Sequence, residues 1–193
     1  MTVYWQDNPE YGFLVQHTIL MPAATKKRII FHDDYDYLRY YRLLQAAKES
    51  YPFELHAYCL MPNHIHLLLE TIDHSTTPIM KSVHANYAIY FNKRYDLCGH
   101  VFQGRYKAHL IGTLPYFKSA SRYIHQNPIE AKLVQQPQDY RWSSYKLYFK
   151  PYKQTLVSTE KTLSYFQGIE HYHDFVWGQS PSALKRRGTV PES

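Results

Sequence analysis

The segment from Phe53 to Thr71 leaves the chain little freedom. Two apolar runs, Phe53-Glu54-Leu55-His56-Ala57-Tyr58-Cys59-Leu60-Met61 and His64-Ile65-His66-Leu67-Leu68-Leu69-Glu70-Thr71, are separated only by Pro62-Asn63. Proline presets its φ and asparagine tolerates tight turns, so the spacing predicts a hairpin with strands over about 53–61 and 64–71. Side chains alternate along a strand. Ile65, Leu67 and Leu69 therefore enter a core while His64 and His66 project together from the opposite face. Two adjacent imidazoles supply half of a metal site, and the remaining donors have to come from another element.

The flanking sequence places that hairpin in a larger pattern. A β-rich run, Tyr11 to Leu20, ends at Met21-Pro22 and predicts a first strand. Asp33 or Asp34 can cap a helix to Ser50, with Tyr37, Leu38, Tyr41, Leu44 and Ala47 at helical spacing. Thr76-Thr77-Pro78 opens another helix, with Ile79, Met80, Val83, Tyr87, Ile89, Tyr90 and Phe91 as its expected buried side. A loop over 96–104, a strand over 105–112 and a helix over 115–127, stopped by Pro128, complete the order β-α-β-β-α-β-α. This is the α+β pattern of a ferredoxin-like antiparallel sheet with two helices on one face, the added third helix lying beside or across the other. Past Pro137 the pattern turns irregular, with short helices expected over 143–150 and 158–167 and a basic tail over 183–188. The expected division is a domain over 1–150 and a helical C-terminal extension over 151–193. His171-Tyr172-His173 repeats the His-x-His spacing without an apolar setting and reads as surface.

At 193 residues and 45% hydrophobic, the chain can bury one sizeable core. Two cysteines, Cys59 and Cys98, cannot build a disulfide framework and read as reduced thiols. No leader pattern opens the chain, and no apolar stretch reaches the roughly 18 residues of a membrane span, so a soluble, cytoplasmic protein without membrane partners is expected. The net charge of +6 is unevenly spread: residues 81–150 hold 11 Lys/Arg against 3 Asp/Glu, whereas residues 1–80 hold 6 against 9. In that basic stretch Lys93, Arg94, Arg105, Lys107, Lys118 and Arg122 alternate with rings such as Phe91, Tyr95, Phe102, Tyr106 and Phe117. Cations track phosphates and rings stack unpaired bases, which is what a single-stranded nucleic acid demands of a surface.

On the third helix Tyr123 and Asn127 stand four residues apart, one turn apart on one face. If that face meets the histidines, His64, His66 and the Asn127 oxygen can hold a divalent cation. Imidazole with oxygen donors suits Mg²⁺ or Mn²⁺ better than a closed zinc site. A tyrosine ordinarily titrates near about 10, and a nearby cation together with Arg122 or Lys118 favours its phenolate. Taken singly, these residues have ordinary explanations: a hydrogen-bonded histidine pair, a boundary tyrosine and a helix end before proline.

Three segments combine them. Leu55 to Glu70 (LHAYCLMPNHIHLLLE), Gly99 to Ala108 (GHVFQGRYKA) and Arg122 to Ala131 (RYIHQNPIEA), with Trp142-Ser143-Ser144-Tyr145 after them, closely resemble the HUH single-tyrosine transposases, and within them the REP-associated tyrosine transposase branch. The resemblance spans about residues 11–149. It implies an HUH endonuclease fold that cuts and rejoins single-stranded DNA, with hairpin-forming ends as substrate. His64 and His66 would bind the divalent metal, Mg²⁺ or Mn²⁺. Tyr123 would attack the phosphate and leave a 5′-phosphotyrosine and a free 3′-hydroxyl. Asn127 would complete the metal site, with Gln126 as fallback. Asn63, Lys93, Arg94, Phe102, Gln103, Arg105, Lys107, Lys118 and Arg122 are the expected nucleic-acid contacts, and either a monomer or a homodimer fits. Two places depart from the pattern: Met21 to Arg28 stands where an Arg-Gly-Asn stretch is frequent, and Glu130 replaces a frequent basic residue. The competing reading is a regulator that binds hairpin DNA or RNA with the same fold and does not cleave.

Overall fold

A computed structural model describes residues 16–21, 28–102, 104, 106–149 and 156–178. Its elements run β1 (Gln16–Met21), α1 (Asp34–Ser50), β2 (Phe53–Met61), β3 (His64–Thr71), α2 (Thr76–Tyr95), β4 (Lys107–Ile111), α3 (Leu114–Glu130), 3₁₀ turns at Pro137–Asp139 and Ser144–Tyr148, α4 (Glu160–Ser164) and α5 (Ile169–Trp177). All strand pairs are antiparallel, in the order β2-β3-β1-β4. This is the expected α+β sheet with the expected element order. Tyr11 to Val15 of the expected first strand lie outside the described residues.

The hairpin forms where the sequence places it, with Met61 opposite His64 and Phe53 opposite Thr71. One irregularity governs everything above it. The register slips between Leu55 and Ala57, leaving His56 in a bulge. Without that extra residue, Phe53, Leu55, Ala57, Cys59 and Met61 would share one face; with it, the parity switches. Phe53, Leu55, Tyr58 and Leu60 then join Ile65, Leu67 and Leu69 under α1 and α2. Ala57, Cys59 and Met61 turn to the opposite face, where with Leu68 they pack against Phe117, Ala120 and Ile124 of α3. Small side chains at Ala57, Cys59 and Ala120 let this helix seat closely on the sheet.

The Asp33 carboxylate caps α1 by accepting from the backbone N–H groups of Tyr35 and Asp36, which fixes its start. Asp36 is buried and accepts from Arg94 at 2.7 Å, Tyr90 at 2.9 Å, Tyr95 at 2.8 Å and the His32 N–H at 2.8 Å, tying the start of α1 to the end of α2. A buried carboxylate persists only with its charge matched and its lone pairs filled in this way. The α2 core stripe is Ile79, Met80, Val83, Tyr87 and Phe91; Ile89, expected on it, is 67% exposed because it falls off that 3–4 spacing.

Two further expectations need correction. Pro128 does not stop α3, which continues to Glu130. Its ring removes one helical N–H near the end of the helix, and the last carbonyls are used regardless: Asn127 O accepts from Ala131 N and Pro128 O from Leu133 N. His171-Tyr172-His173 is a surface run only in part, for His171 is exposed and the other two are not. It lies on α5 with Tyr172 fully buried, stacked on Tyr148 at 4.7 Å between centroids, while His173 Nδ1 is 2.5 Å from the Tyr145 hydroxyl. Helical spacing, not strand alternation, sorts these three residues.

The chain from Trp142 onward is integrated with the sheet. Leu60 N donates to Trp142 O, and Ser158 N donates to Leu55 O, so residues 142–143 and 157–158 cover the outer edge of β2. Leu156 and Val157 lie in the α1/α2 core, and Tyr172 and Val176 of α5 pack with Tyr145 and Tyr148. The basic tail expected over 183–188 lies outside the described residues. Among the described residues, no helix is long and apolar enough to cross a membrane.

Candidate active site

Three elements converge at one end of the hairpin. β3 contributes His64 and His66, the preceding turn Asn63, and α3 Tyr123 and Asn127. The imidazoles of His64 and His66 meet at 4.7 Å between centroids and 89°. The Tyr123 ring stands against His66 at 5.3 Å and 87°. Tyr123 is 41% exposed, so its ring touches the buried imidazole while solvent, or a substrate, can reach it from outside.

Asn127 closes the arrangement. Its Nδ2 donates to the Tyr123 carbonyl at 2.7 Å, one turn back along α3, which fixes the amide and leaves Oδ1 for other partners. The side chain lies close enough to His64 and His66 to favour protonation of both, yet burial outweighs it. Desolvation pushes His66 down to about 3, helped by its neighbour His64, and lowers His64 as well. Both imidazoles are therefore neutral near pH 7, with lone pairs to offer. Asn63 decides which lone pair His64 offers. The Asn63 Oδ1 can only accept, so at 2.7 Å from His64 Nδ1 it requires the hydrogen there and leaves Nε2 as the acceptor. The sequence gives Asn63 as a nucleic-acid contact; here it also orients a histidine, a role signalled by its position immediately before His64.

His66 is 2% exposed, and neither of its ring nitrogens has a hydrogen-bond partner. Buried polar nitrogens left so are rare, and a cation is a fitting partner for one of them. No group of three or more His, Cys, Asp or Glu gathers among the described residues. The donor set that exists is two neutral imidazoles and one amide oxygen, which fits a divalent ion that keeps open positions. Gln126 points elsewhere: its Nε2 donates to Val176 O of α5 at 2.5 Å.

The α3 helix owes its orientation to contacts on its far side. His125 is fully buried, with Nδ1 2.7 Å from the Tyr172 hydroxyl and Nε2 2.8 Å from Ser144 Oγ, and burial drives it down to about 3. Ser144 Oγ in turn accepts from Tyr58 N at 2.9 Å, so α3 and β2 meet at one hydroxyl, and α5 joins them through Tyr172 on the other nitrogen of His125. Sequence reasoning misses this hub, because nothing local pairs His125 with residues 19 and 47 positions away.

The expected nucleic-acid contacts do not form one patch. Lys118 and Arg122 flank Tyr123 on α3, but the Lys118 ammonium lies 4.7 Å from the Phe166 ring centroid and the Arg122 guanidinium 5.4 Å from that of Phe175. Lys107 is exposed on the edge strand β4. Lys93, Arg94 and Phe102 belong to the opposite, α2 side of the sheet, where Arg94 pairs with Asp33 and Asp36 and Phe102 stacks on His84 at 4.2 Å. Gln103 and Arg105 lie outside the described residues.

Comparison with known proteins bears on the same region. Residues 14–127 match the family described as "Transposase IS200 like". A Haemophilus influenzae protein named "Putative REP-associated tyrosine transposase" is 27% identical over 147 residues, covering 69% of this chain and 80% of that protein. A solved structure described as a REP-associated tyrosine transposase bound to a REP hairpin superposes with a TM-score of 0.62 at 18% identity, covering 82% of this chain and 91% of that one. At that identity the superposition establishes a shared fold.

Proposed function

The chain belongs to the IS200-like transposase family, and from that premise we propose that it cuts and rejoins single-stranded DNA next to hairpins, in the cytoplasm, as a monomer or homodimer. The observation that carries this reading is the contact of Tyr123 with His66, beside His64 and Asn127. The hairpin substrate is taken from the similarly folded protein bound to a REP hairpin and from the relative of that type.

In the proposed reaction the Tyr123 hydroxyl oxygen attacks the scissile phosphorus as its proton leaves. The bond from phosphorus to the 3′-oxygen breaks, and that oxygen takes up a proton. The product is a 5′-phosphotyrosine and a free 3′-hydroxyl, so the energy of the phosphodiester is kept and rejoining is the reverse attack. His64, His66 and Asn127 would hold Mg²⁺ or Mn²⁺, which when bound supplies Lewis-acid stabilisation of charge on the phosphate oxygens. Asn63 keeps the His64 hydrogen on Nδ1, and the Asn127 amide nitrogen stays on the helix carbonyl so that its oxygen faces the histidines. Docking of α3 on β2 and β3 holds the Tyr123 ring at His66.

Purified protein incubated with hairpin-ended single-stranded DNA and Mn²⁺ will form an adduct that survives denaturing electrophoresis, and Tyr123→Phe will abolish it. An undiminished adduct in that variant overturns the nucleophile assignment. Salt-sensitive hairpin binding with no adduct under either metal would identify a non-cleaving regulator instead.

A further inference from the structure

The two sides of α3 differ. On one, Lys118 and Arg122 meet the rings of Phe166 and Phe175, and Gln126 donates to Val176 O, so the C-terminal segment covers it. On the other, Tyr116, Tyr123 and Asn127 recur at spacings of seven and four, which is a single stripe of a helix. That stripe is open: Tyr116 is 42% exposed and Tyr123 41%. Because Tyr123 meets His66 while α3 sits over β2 and β3, the stripe looks out over β1 and β4.

The sheet register determines which side chains it meets there. Leu20 pairs with Leu67 on one side and with Ala108 on the other, so these residues share a row across β3, β1 and β4. Leu67 points into the core under α1 and α2. By alternation Lys107 and His109 point to the other face, that of His66 and α3, and Ile111 shows the same parity by joining Phe117 in the core beneath α3. Lys107 pairs with Met21, one step beyond Leu20, which puts it level with His66 and about 10 Å away across two strand spacings. Lys107 and His109 are both exposed. The result is a trough beside α3, with β4 side chains as its floor and Tyr116 and Tyr123 along its wall.

Its chemistry suits one strand of DNA. Residues 101–129 supply the β4 side chains and the helix wall and contain no Asp or Glu, so no carboxylate from this stretch repels a phosphate. A lysine ammonium and an imidazole N–H donate to phosphate oxygens, and an exposed tyrosine ring stacks an unpaired base whatever its identity. Bases inside a stem are stacked on one another and offer Tyr116 no free face. Tyr116 and Tyr123 stand about 10 Å apart along the helix axis, which is about three nucleotides at the 3.4 Å rise of a stacked strand.

We propose that the single-stranded flank of the hairpin runs along this trough, its phosphates held by Lys107 and His109 and one of its bases stacked on Tyr116. The position of the cut at Tyr123 rests on the cleavage reading; the path of the strand along β4 is tested without it.

Binding is measured on the chain carrying Tyr123→Phe, with two fluorescent oligonucleotides: the hairpin alone and the hairpin with a single-stranded flank. Tyr116→Ala will weaken binding of the flanked hairpin about tenfold, the loss of one stacked base, whereas Tyr116→Phe will keep it. Lys107→Ala will reduce the slope of log affinity against log salt by about 0.7, one phosphate contact on a single strand, and Lys107→Arg will preserve the slope. His109→Ala will cost about fivefold, one hydrogen bond. The hairpin alone will bind the three alanine variants as it binds the parent. All three side chains are exposed, so an unchanged urea midpoint will verify that the fold is intact. Equal losses for both oligonucleotides, or no loss in Tyr116→Ala, overturn the trough. Flank-dependent losses in a protein whose Tyr123 form yields no adduct with Mn²⁺ support the trough and sink the cleavage reading. Adducts formed at an undiminished rate by Tyr116→Ala and Lys107→Ala at subsaturating flanked hairpin overturn the trough while leaving cleavage standing.

Discussion

The rings of His66 and Tyr123 stand edge to face at 5.3 Å, although one belongs to the hairpin and the other to the helix packed behind it. Their spacing is therefore set by how α3 seats on the sheet. That seating depends on the bulge at His56, which turns Ala57, Cys59 and Met61 toward the helix.

Asn63→Ala will free the His64 ring to choose either tautomer. If the histidines hold the metal, affinity for Mn²⁺ will fall about 10- to 100-fold, the usual effect of losing a residue that orients a metal ligand. Isothermal titration with Mn²⁺ measures it directly, and Asn63→Asp, which keeps an acceptor, will recover much of the loss. Chelation by EDTA will likewise stop adduct formation while leaving hairpin binding in place.

Ser144→Ala removes the hydroxyl that serves both Tyr58 N and His125 Nε2. With the Tyr58 carbonyl, to which this hydroxyl donates, three buried polar groups lose a partner, and urea unfolding will report a loss of about 1–3 kcal/mol. A change below a few tenths of a kcal/mol would mean that water takes over the hydroxyl's role.

Acid will destabilise the fold well above the range where carboxylates titrate. Burial holds His84 down to about 4 and His125 to about 3, whereas in the unfolded chain each takes its proton near about 6.5. The unfolded state thus binds more protons below pH 6.5, and the stability present above that pH is lost progressively as the pH falls toward 4. Each such histidine contributes a slope on the order of 1.4 kcal/mol per pH unit. Denaturant midpoints measured from pH 7 to 4.5 would be flat if these rings protonate in place.

Thiol labelling will distinguish the two cysteines. Cys98 is exposed, while Cys59 is buried between the sheet and α3, with burial driving its thiol far above the ordinary range. A thiol reagent will label one site in the native protein and two in urea. Rapid labelling of both in the native state would show that α3 lifts off β2.

The hairpin and the start of α1 were legible because their signals are local: a Pro-Asn turn between apolar runs, and an aspartate whose side chain caps its own helix. The convergence of Tyr123 with His66 could be posed from spacing, but only the packing of α3 on the second face of the sheet brings the rings together. The bulge at His56 is not legible in the sequence, since a single added residue leaves no compositional mark, yet it decides which side chains α3 meets. Pro128 does not end its helix because one missing N–H in the last turn costs little when Leu133 N and Ala131 N still find carbonyls. The burial of Tyr172 depends on partners at Tyr148 and His125, far away in the chain.

The hydroxyl of Tyr172 on His125 and the carbonyl of Val176 on Gln126 have a consequence for any attempt to trim this protein. Cleaving the polypeptide after Lys150 would strip the helix that carries Tyr123 of its α5 backing and uncover the stretch of β2 that residues 157–158 cover. The segment beyond Lys150 is a splint rather than an ornament, and the shortest fragment able to hold Tyr123 in place should extend at least to Trp177.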